Sequence, residues 1–143
     1  MSKEKLVCVS GGFDPVHIGH LRMIEEAAKY GHVVVIVNSD KWLMRKKGYI
    51  FMPWSERAEI LSAFKGVVAV IQGKDDDDSV CESIADLKNT MDIDYFGNGG
   101  DRKNNNTPEV SLCEQLGIDM VWNVGGGKIQ SSSDLVAKSK ENR

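Results

Sequence analysis

The chain is poor in the residues that build covalent or metal-based scaffolds, since only three of its 143 residues are cysteine. Cys8, Cys81 and Cys113 are widely spaced and form no Cys-x-x-Cys pair. This argues against a disulfide framework or a structural zinc site and favours a reducing, cytoplasmic compartment. Apolar runs are also short. None could span a bilayer, and residues 1–5 lead into a predicted strand without the pattern of a signal peptide.

A large excess of charge of either sign is absent as well. The 18 basic and 21 acidic residues leave a net charge of -3, which argues against a general affinity for nucleic acid or an anionic membrane. Any phosphate site must therefore come from local clustering. The length and the 41% hydrophobic content fit one globular domain, 1–143, whose polar tail near 138–143 we expect to fray. The sequence leaves open whether the chain forms a homodimer.

What the chain does have is a regular alternation of strand and helix patterns. Strand patterns fall at residues 6–9, 32–37, 67–71, 93–96 and 120–124. Helical patterns fall at 18–30 with Gly31 as C-cap, from a cap at Ser55, from 78 or 79 to about 89, from a cap at Thr107 to about 117, and at 131–140. The alternation predicts an α/β, Rossmann-like single domain: a five-stranded, mainly parallel sheet with helices on both faces. Residues 40–53 show no clear period and are expected to form a basic, aromatic loop.

Open α/β sheets bind ligands at the carboxyl ends of their strands, near the point where the strand order reverses. The loops at those ends are predicted at residues 10–20, 38–53, 97–108 and 125–133. The motifs described next fall in or directly beside these loops, which predicts one shared site.

The most informative loop reads Ser10-Gly11-Gly12-Phe13-Asp14-Pro15-Val16-His17-Ile18-Gly19-His20. Its two glycines are expected to turn the chain from strand to helix, and His17 and His20 stand at the helix start. Backbone N–H groups and the positive end of the helix dipole favour phosphate there. A single histidine in this place would more often be a cap or a core residue. Two of the chain's three histidines in one glycine turn instead favour hydrogen-bond donation to an oxyanion.

This run resembles the Gly-x-Phe-Asp-x-x-His-x-Gly-His signature of the cytidylyltransferase-like nucleotidyltransferases. The resemblance implies that a nucleotidyl group passes from a nucleoside triphosphate to a small phosphorylated alcohol or sugar, with release of pyrophosphate. It implies that His17 and His20 are catalytic and that Gly11 and Gly12 bind the nucleotide. Phe13 either packs in the core or, by resemblance, binds the nucleotide as well. Asp14 either caps the turn or binds the acceptor substrate, and the resemblance favours binding.

The second loop carries the basic residues of the predicted site. A charge run such as Arg45, Lys46 and Lys47 is usually solvated surface. The resemblance instead implies that Lys46 or Lys47 contacts phosphate and counts among the catalytic residues. It also implies that Asp40 faces the hydroxyls of the acceptor. Arg57 is either a surface ion-pair partner or, by resemblance, a bidentate ligand of the acceptor phosphate.

The remaining two loops are predicted to hold the nucleotide. The resemblance implies nucleotide-binding roles for Gly99 and Asp101 in one loop, and for Lys128, Ser131 and Ser132 in the other, where a triphosphate tail would lie. The acidic run 75–78 is expected to be a solvated loop, so no metal site is predicted. Magnesium is expected to enter with the triphosphate.

The sequence does not fix the nucleobase. Lys46, Lys47 and Arg57 resemble the glycerol-3-phosphate cytidylyltransferases, whereas Gly99-Gly100-Asp101 resembles the heptose-phosphate adenylyltransferases. The balance favours CTP slightly, with an ATP-using sugar-phosphate adenylyltransferase as the alternative. A non-catalytic nucleotide-binding sensor is the alternative from another class.

Overall fold

The computed structural model describes residues 4–74, 79–98, 107–122 and 124. Five parallel strands form one sheet in the order β3-β2-β1-β4-β5. They are β1 (Leu6–Gly11), β2 (His32–Val37), β3 (Val67–Gln72), β4 (Tyr95–Gly97) and β5 (Asp119–Val121). The predicted Rossmann-like parallel sheet is confirmed, and β1 extends beyond its predicted end to include both Ser10 and Gly11.

Within the described ranges, five helices connect these strands. They are α1 (Ile18–Ala27), α2 (Asp40–Lys47), α3 (Trp54–Ser62), α4 (Cys81–Thr90) and α5 (Pro108–Leu116). The helix predicted at 131–140 lies outside the described residues.

The sheet separates two apolar layers, because neighbouring residues of a strand point to opposite faces. On one face, Val33, Val35 and Val37 of β2 pack in a cluster with Ile24 of α1 and Leu61 of α3. The other face carries a second cluster. It contains strand residues that alternate with those of the first cluster, together with residues of α4 and α5: Cys8, Val34, Ile36, Ile84, Leu87 and Cys113. Helices therefore cover both faces, which explains why β2 is almost continuously β-branched.

The helices differ from the sequence prediction at several points, including the start of α4, which is Cys81 rather than residue 78 or 79. Residues 40–47 form α2 rather than a loop, with Ser39 as its N-cap and Gly48 as its left-handed C-cap. Helix α3 is capped by Pro53 and already includes Ser55. Helix α1 ends at a C-cap of Ala28, before the expected Gly31.

The strand order places β1 at the centre of the sheet. The chain moves outward from β1 through β2 to β3, and then returns to the other side of β1 for β4 and β5. The reversal lies between β1 and β4, and a crevice opens there at the carboxyl ends of the strands. The loop that carries His17 and His20 leaves the sheet at this edge.

Candidate active site

The two histidines are fixed by the backbone at the start of α1. His17 is the N-cap, and its Nδ1 accepts a hydrogen bond from the Gly19 N–H at 3.0 Å. The His17 N–H in turn donates to Nδ1 of His20 at 3.1 Å. An Nδ1 that accepts a hydrogen bond carries no proton, so each neutral ring holds its proton at Nε2. Both rings are thus prepared to donate from Nε2.

Burial keeps these rings uncharged. The ring centroids are 3.8 Å apart in a stacked arrangement, and the ring of Phe13 meets His20 edge-on at 4.6 Å. Desolvation, followed by the nearby charge of His17, lowers the pKa of His20 to about 3. Desolvation also lowers the pKa of His17. At neutral pH the pair can offer two N–H donors to an anion without the cost of two buried positive charges.

Three buried polar atoms have no hydrogen-bond partner within the described part of the chain: His17 Nε2, Trp42 Nε1 and Thr107 Oγ1. They lie at the starts of α1, α2 and α5, the helices that begin after β1, β2 and β4. Buried polar groups are nearly always satisfied, and each exception needs an explanation. Three exceptions at one edge of the sheet are the pattern expected of a ligand site.

The turn between β1 and α1 is built differently from the sequence prediction. Gly11 belongs to β1, and the left-handed residue is Phe13, with φ of 54°. A Cβ at Gly11 would lie 3.2 Å from the ring of Phe13, which explains the absence of a side chain there. Phe13 is buried and contacts His20, so its role in this structure is to support the histidine ring. Contact of Gly11, Gly12 and Phe13 with a nucleotide stays a prediction.

Arg57 lies inside the protein rather than on the surface of α3, and its side chain is 0% exposed. Its Nε donates to the Met52 carbonyl at 2.9 Å, and its Nη1 donates to the Gly12 and Asn38 carbonyls, both at 2.7 Å. Its Nη2 forms an ion pair with Asp40 Oδ1 at 2.7 Å. One guanidinium therefore ties together the three segments that follow β1, β2 and α2. Direct contact with the acceptor phosphate stays a prediction. It would require Arg57 to give up one of these protein oxygens and bind a phosphate oxygen instead.

Asp14 and Asp40 hold the same segments together through further hydrogen bonds. The buried Asp14 carboxylate accepts hydrogen bonds from the Phe51 N–H at 2.9 Å and from the Met52 N–H. Asp40 Oδ1 also accepts from the Trp54 N–H at 2.9 Å. Both carboxylates thus order the backbone around the site, and their predicted contacts with substrate are untested.

The two candidate lysines have different surroundings. Lys47 Nζ lies 3.4 Å from the Asp14 carbonyl oxygen and 5.8 Å from the centroid of the Tyr49 ring. Lys47 is half-buried, whereas Lys46 is exposed in the last turn of α2. The structure therefore brings Lys47 to the loop that carries the histidines. Which lysine contacts phosphate stays a prediction.

A pocket of about 200 Å³ opens at the reversal of strand order. Residues at or just beyond the carboxyl ends of β1, β2 and β4 line it, together with residues in or beside the helices: Ser10, Met23, Asn38, Trp42, Val80, Phe96, Gly97, Asn98 and Glu109. Sequence reasoning missed Asn38, Asn98 and Glu109. Their positions directly after a buried strand or at a helix start were the available signal.

Five residues of the predicted site lie outside the described residues: Gly99, Asp101, Lys128, Ser131 and Ser132. The acidic run at 75–78, predicted to be a solvated loop, also lies outside them. Across 4–74, 79–98, 107–122 and 124, no group of three or more His, Cys, Asp or Glu residues is arranged to hold a metal ion. Every helix in those ranges is too short or too polar to cross a bilayer.

A Rossmann-like sheet with a paired-histidine helix start at its carboxyl edge defines a class of nucleotide-binding protein. Residues 8–134 match the family model described as cytidylyltransferase-like. The chain belongs to the cytidylyltransferase-like family, and the relatives compared with it are nucleotidyltransferases. The family predicted from the histidine motif is therefore confirmed.

Two relatives and one solved structure show how much of the chain is similar to known proteins. The "FAD synthase" of Ferroglobus placidus is 34% identical over 73 residues, which cover 51% of this chain and 48% of that protein. The "Bifunctional protein HldE" of Geobacter metallireducens is 33% identical over 126 residues, which cover 86% of this chain and 23% of that protein. The chain thus spans about half of the FAD synthase and about a quarter of HldE. Among solved structures, a lipopolysaccharide core biosynthesis protein from Thermoplasma volcanium has a TM-score of 0.65 at 25% identity, covering 84% of this chain and 96% of that one.

Proposed function

We propose that the protein transfers an adenylyl group from ATP to a small phosphorylated acceptor and releases pyrophosphate. The observation that carries the proposal is the pair of neutral Nε2 donors, fixed through Nδ1 at the start of α1. Relatives named FAD synthase and HldE, the latter with a heptose adenylyltransferase domain, support ATP over CTP. CTP remains the competitor to be tested.

The proposed reaction needs little proton chemistry from the protein. A phosphate monoester has a second pKa near 6, so its oxygen is already an anionic nucleophile at neutral pH. In our proposal this oxygen attacks the α-phosphorus of ATP, a new P–O bond forms, and the bond to the β-phosphate breaks to release pyrophosphate. The barrier then arises from repulsion between anions and from charge that builds up on the α-phosphate oxygens.

The residues divide this work in the proposed mechanism. His17 and His20 donate from Nε2 to the α-phosphate oxygens, where pre-positioned donors act best. A lysine of the Lys46–Lys47 pair neutralises the attacking phosphate. Asp14, Asp40 and Arg57 hold the loops in place through hydrogen bonds to the backbone and do not themselves contact the reacting atoms. Magnesium arrives as the complex with ATP and is therefore treated as part of the substrate.

Pyrophosphate release with Mg·ATP or Mg·CTP and a panel of phosphorylated acceptors tests the proposal. We expect ATP-dependent release with one class of acceptor and none without an acceptor. Binding of ATP without release, for every acceptor tried, would contradict enzymatic transfer and favour a nucleotide-binding sensor. Faster release from CTP would reassign the nucleotide.

A further inference from the structure

Four large apolar side chains are exposed where α2 ends and the following loop begins. Met44 is 49% exposed, Tyr49 45%, Ile50 36% and Phe51 61%. We refer to these four residues as the apolar rim. Single exposed apolar residues are ordinary, but four within eight positions of the sequence are typical of a contact surface.

The apolar rim is held beside the histidine loop. The Phe51 N–H donates to Asp14 Oδ2 at 2.9 Å, and the Met52 N–H donates to the other oxygen of the same buried carboxylate. Asp14 precedes His17 by three residues. Arg57 binds the Met52 carbonyl and thereby fixes the same stretch of backbone a second time. The exposed side chain of Phe51 is therefore presented from an anchored main chain at the edge of the site.

Positive charge lies directly against the apolar rim. The last turn of α2 carries Arg45, Lys46 and Lys47, immediately before Tyr49. Lys47 Nζ is 5.8 Å from the Tyr49 ring centroid and 3.4 Å from the Asp14 carbonyl oxygen. The surface thus combines a cation with aromatic faces. A polyhydroxylated sugar needs hydrogen-bonding side chains, and the rim supplies one phenol among four residues.

We propose that the apolar rim binds the flat ring system of the acceptor, so that the acceptor is an aromatic phosphomonoester rather than a sugar or polyol phosphate. The ring lies against Tyr49 and Phe51, and its phosphate lies toward Lys47 and the histidines. This proposal rests on the proposed nucleotidyl transfer, because it assigns the acceptor of that reaction. It replaces the polyol or sugar expected from the sequence with a ligand that matches both the charge and the apolar surface.

Binding can be tested apart from turnover. Flavin mononucleotide and nicotinamide mononucleotide serve as flat-ring probes, and glycerol 3-phosphate serves as the polyol control. Flavin fluorescence and calorimetry report binding without a triphosphate, and pyrophosphate release reports turnover. The variant is Phe51→Ala, which keeps the backbone N–H that binds Asp14. The matched control is Val68→Ala, which truncates a 53% exposed apolar residue on β3, outside the rim.

We expect at least one flat-ring phosphate to bind more tightly than glycerol 3-phosphate. Phe51→Ala should raise its dissociation constant about tenfold, as loss of one aromatic stacking partner does. Val68→Ala should change it by less than about twofold, as is usual for a surface substitution.

Apart from the turnover measurement, three results would overturn the proposal. The first is binding of neither flat-ring probe at millimolar concentration, and the second is equal effects of the two substitutions. The third is a dimer in sedimentation experiments that Phe51→Ala dissociates, because the rim would then belong to a second copy of the chain. Failure of the proposed function would give a different result. No pyrophosphate would be released from ATP with any acceptor, while the flat-ring probe would still bind the wild-type protein and bind Phe51→Ala more weakly. Release with glycerol 3-phosphate alone would keep the proposed function and reject the aromatic acceptor.

Discussion

At the residue scale, the site depends on which nitrogen of each histidine carries the proton. The two Nδ1 atoms are occupied by backbone N–H groups, so the helix cap and the proposed catalytic donor use opposite sides of one ring. This arrangement allows the two tasks to be separated by substitution. An asparagine can imitate the Nδ1 acceptor but has no donor at the position of Nε2.

The first prediction uses that separation at His17. His17→Asn keeps an efficient N-cap acceptor and should change the free energy of unfolding by less than about 1 kcal/mol. The catalytic rate should fall about a hundredfold or more, as after loss of one oxyanion donor. Pyrophosphate release and urea unfolding measure the two quantities. Wild-type turnover in His17→Asn would remove His17 from the proposed mechanism.

The second prediction concerns the pH dependence of stability. The pKa of His20 is lowered to about 3 by burial, below its ordinary 6.5, so the unfolded chain binds the extra proton between these values. The stabilisation from a neutral His20 is therefore complete above pH 6.5 and is lost as the pH falls toward 3, by at most about 1.4 kcal/mol per pH unit.

The variant His20→Asn isolates this contribution, because it removes the titrating ring and retains an acceptor for the His17 N–H. Urea unfolding of both proteins between pH 7.5 and 4.5 gives the comparison. The stability advantage of wild type over the variant should shrink as the pH falls. A constant difference across this range would contradict the lowered pKa.

The third prediction concerns Arg57, whose buried guanidinium donates to four oxygen atoms of the protein. Arg57→Lys keeps the charge but cannot reproduce the planar fork, so it should lower the free energy of unfolding by about 3 kcal/mol. Asp86→Asn is the control, because it breaks the exposed Lys74–Asp86 pair at 3.4 Å and should cost less than about 1 kcal/mol. Unchanged stability with a higher KM for the acceptor alone would instead give Arg57 the phosphate-binding role expected from the sequence.

At the element scale, α2 is a helix that hydrophobic periodicity could not predict. Leu43 is the only buried residue of this eight-residue helix, so the sequence contains no repeating apolar face that would indicate a helix here. Its ends were nevertheless present in the sequence: the Ser39 hydroxyl accepts from the Trp42 N–H at 3.0 Å, and Gly48 adopts φ of 80°. Capping residues would have predicted this helix better than hydrophobic periodicity did.

The fourth prediction tests the end of α2. Gly48 has no atom within 4 Å of the position that a Cβ would occupy, so its backbone conformation alone limits substitution. Gly48→Ala should cost about 1 kcal/mol of stability, and Gly48→Asn should cost less, since asparagine tolerates the left-handed region better. Urea unfolding of the two variants measures the difference. An equal cost for both would indicate that the loop, and not the φ angle, is disturbed.

At the scale of the whole molecule, the sequence predicted where on the sheet the site lies, but it did not predict the contacts that stabilise the site. Continuous β-branched runs such as residues 33–37 predicted a buried parallel sheet, and the loops at its carboxyl edge predicted the place of the site. The burial of Arg57 could not be predicted, because its four acceptors come from segments up to 45 positions away in the sequence. The apolar rim was missed for a related reason, since its exposure depends on how Asp14 holds the loop.

The final prediction links ligand binding to the stability of the whole chain. A ligand that binds only the folded state raises the free energy of unfolding by about 2.7 kcal/mol when its free concentration is 100 times its dissociation constant. We expect Mg·ATP to raise the urea midpoint more than Mg·CTP at equal concentration, and AMP to raise it least because it lacks the outer phosphates. His17→Asn should retain much of the ATP effect, since the proposed donor acts mainly in the transition state. A larger shift with CTP would contradict adenylyl transfer, and complete loss of the ATP shift in His17→Asn would make His17 a ground-state ligand of the triphosphate.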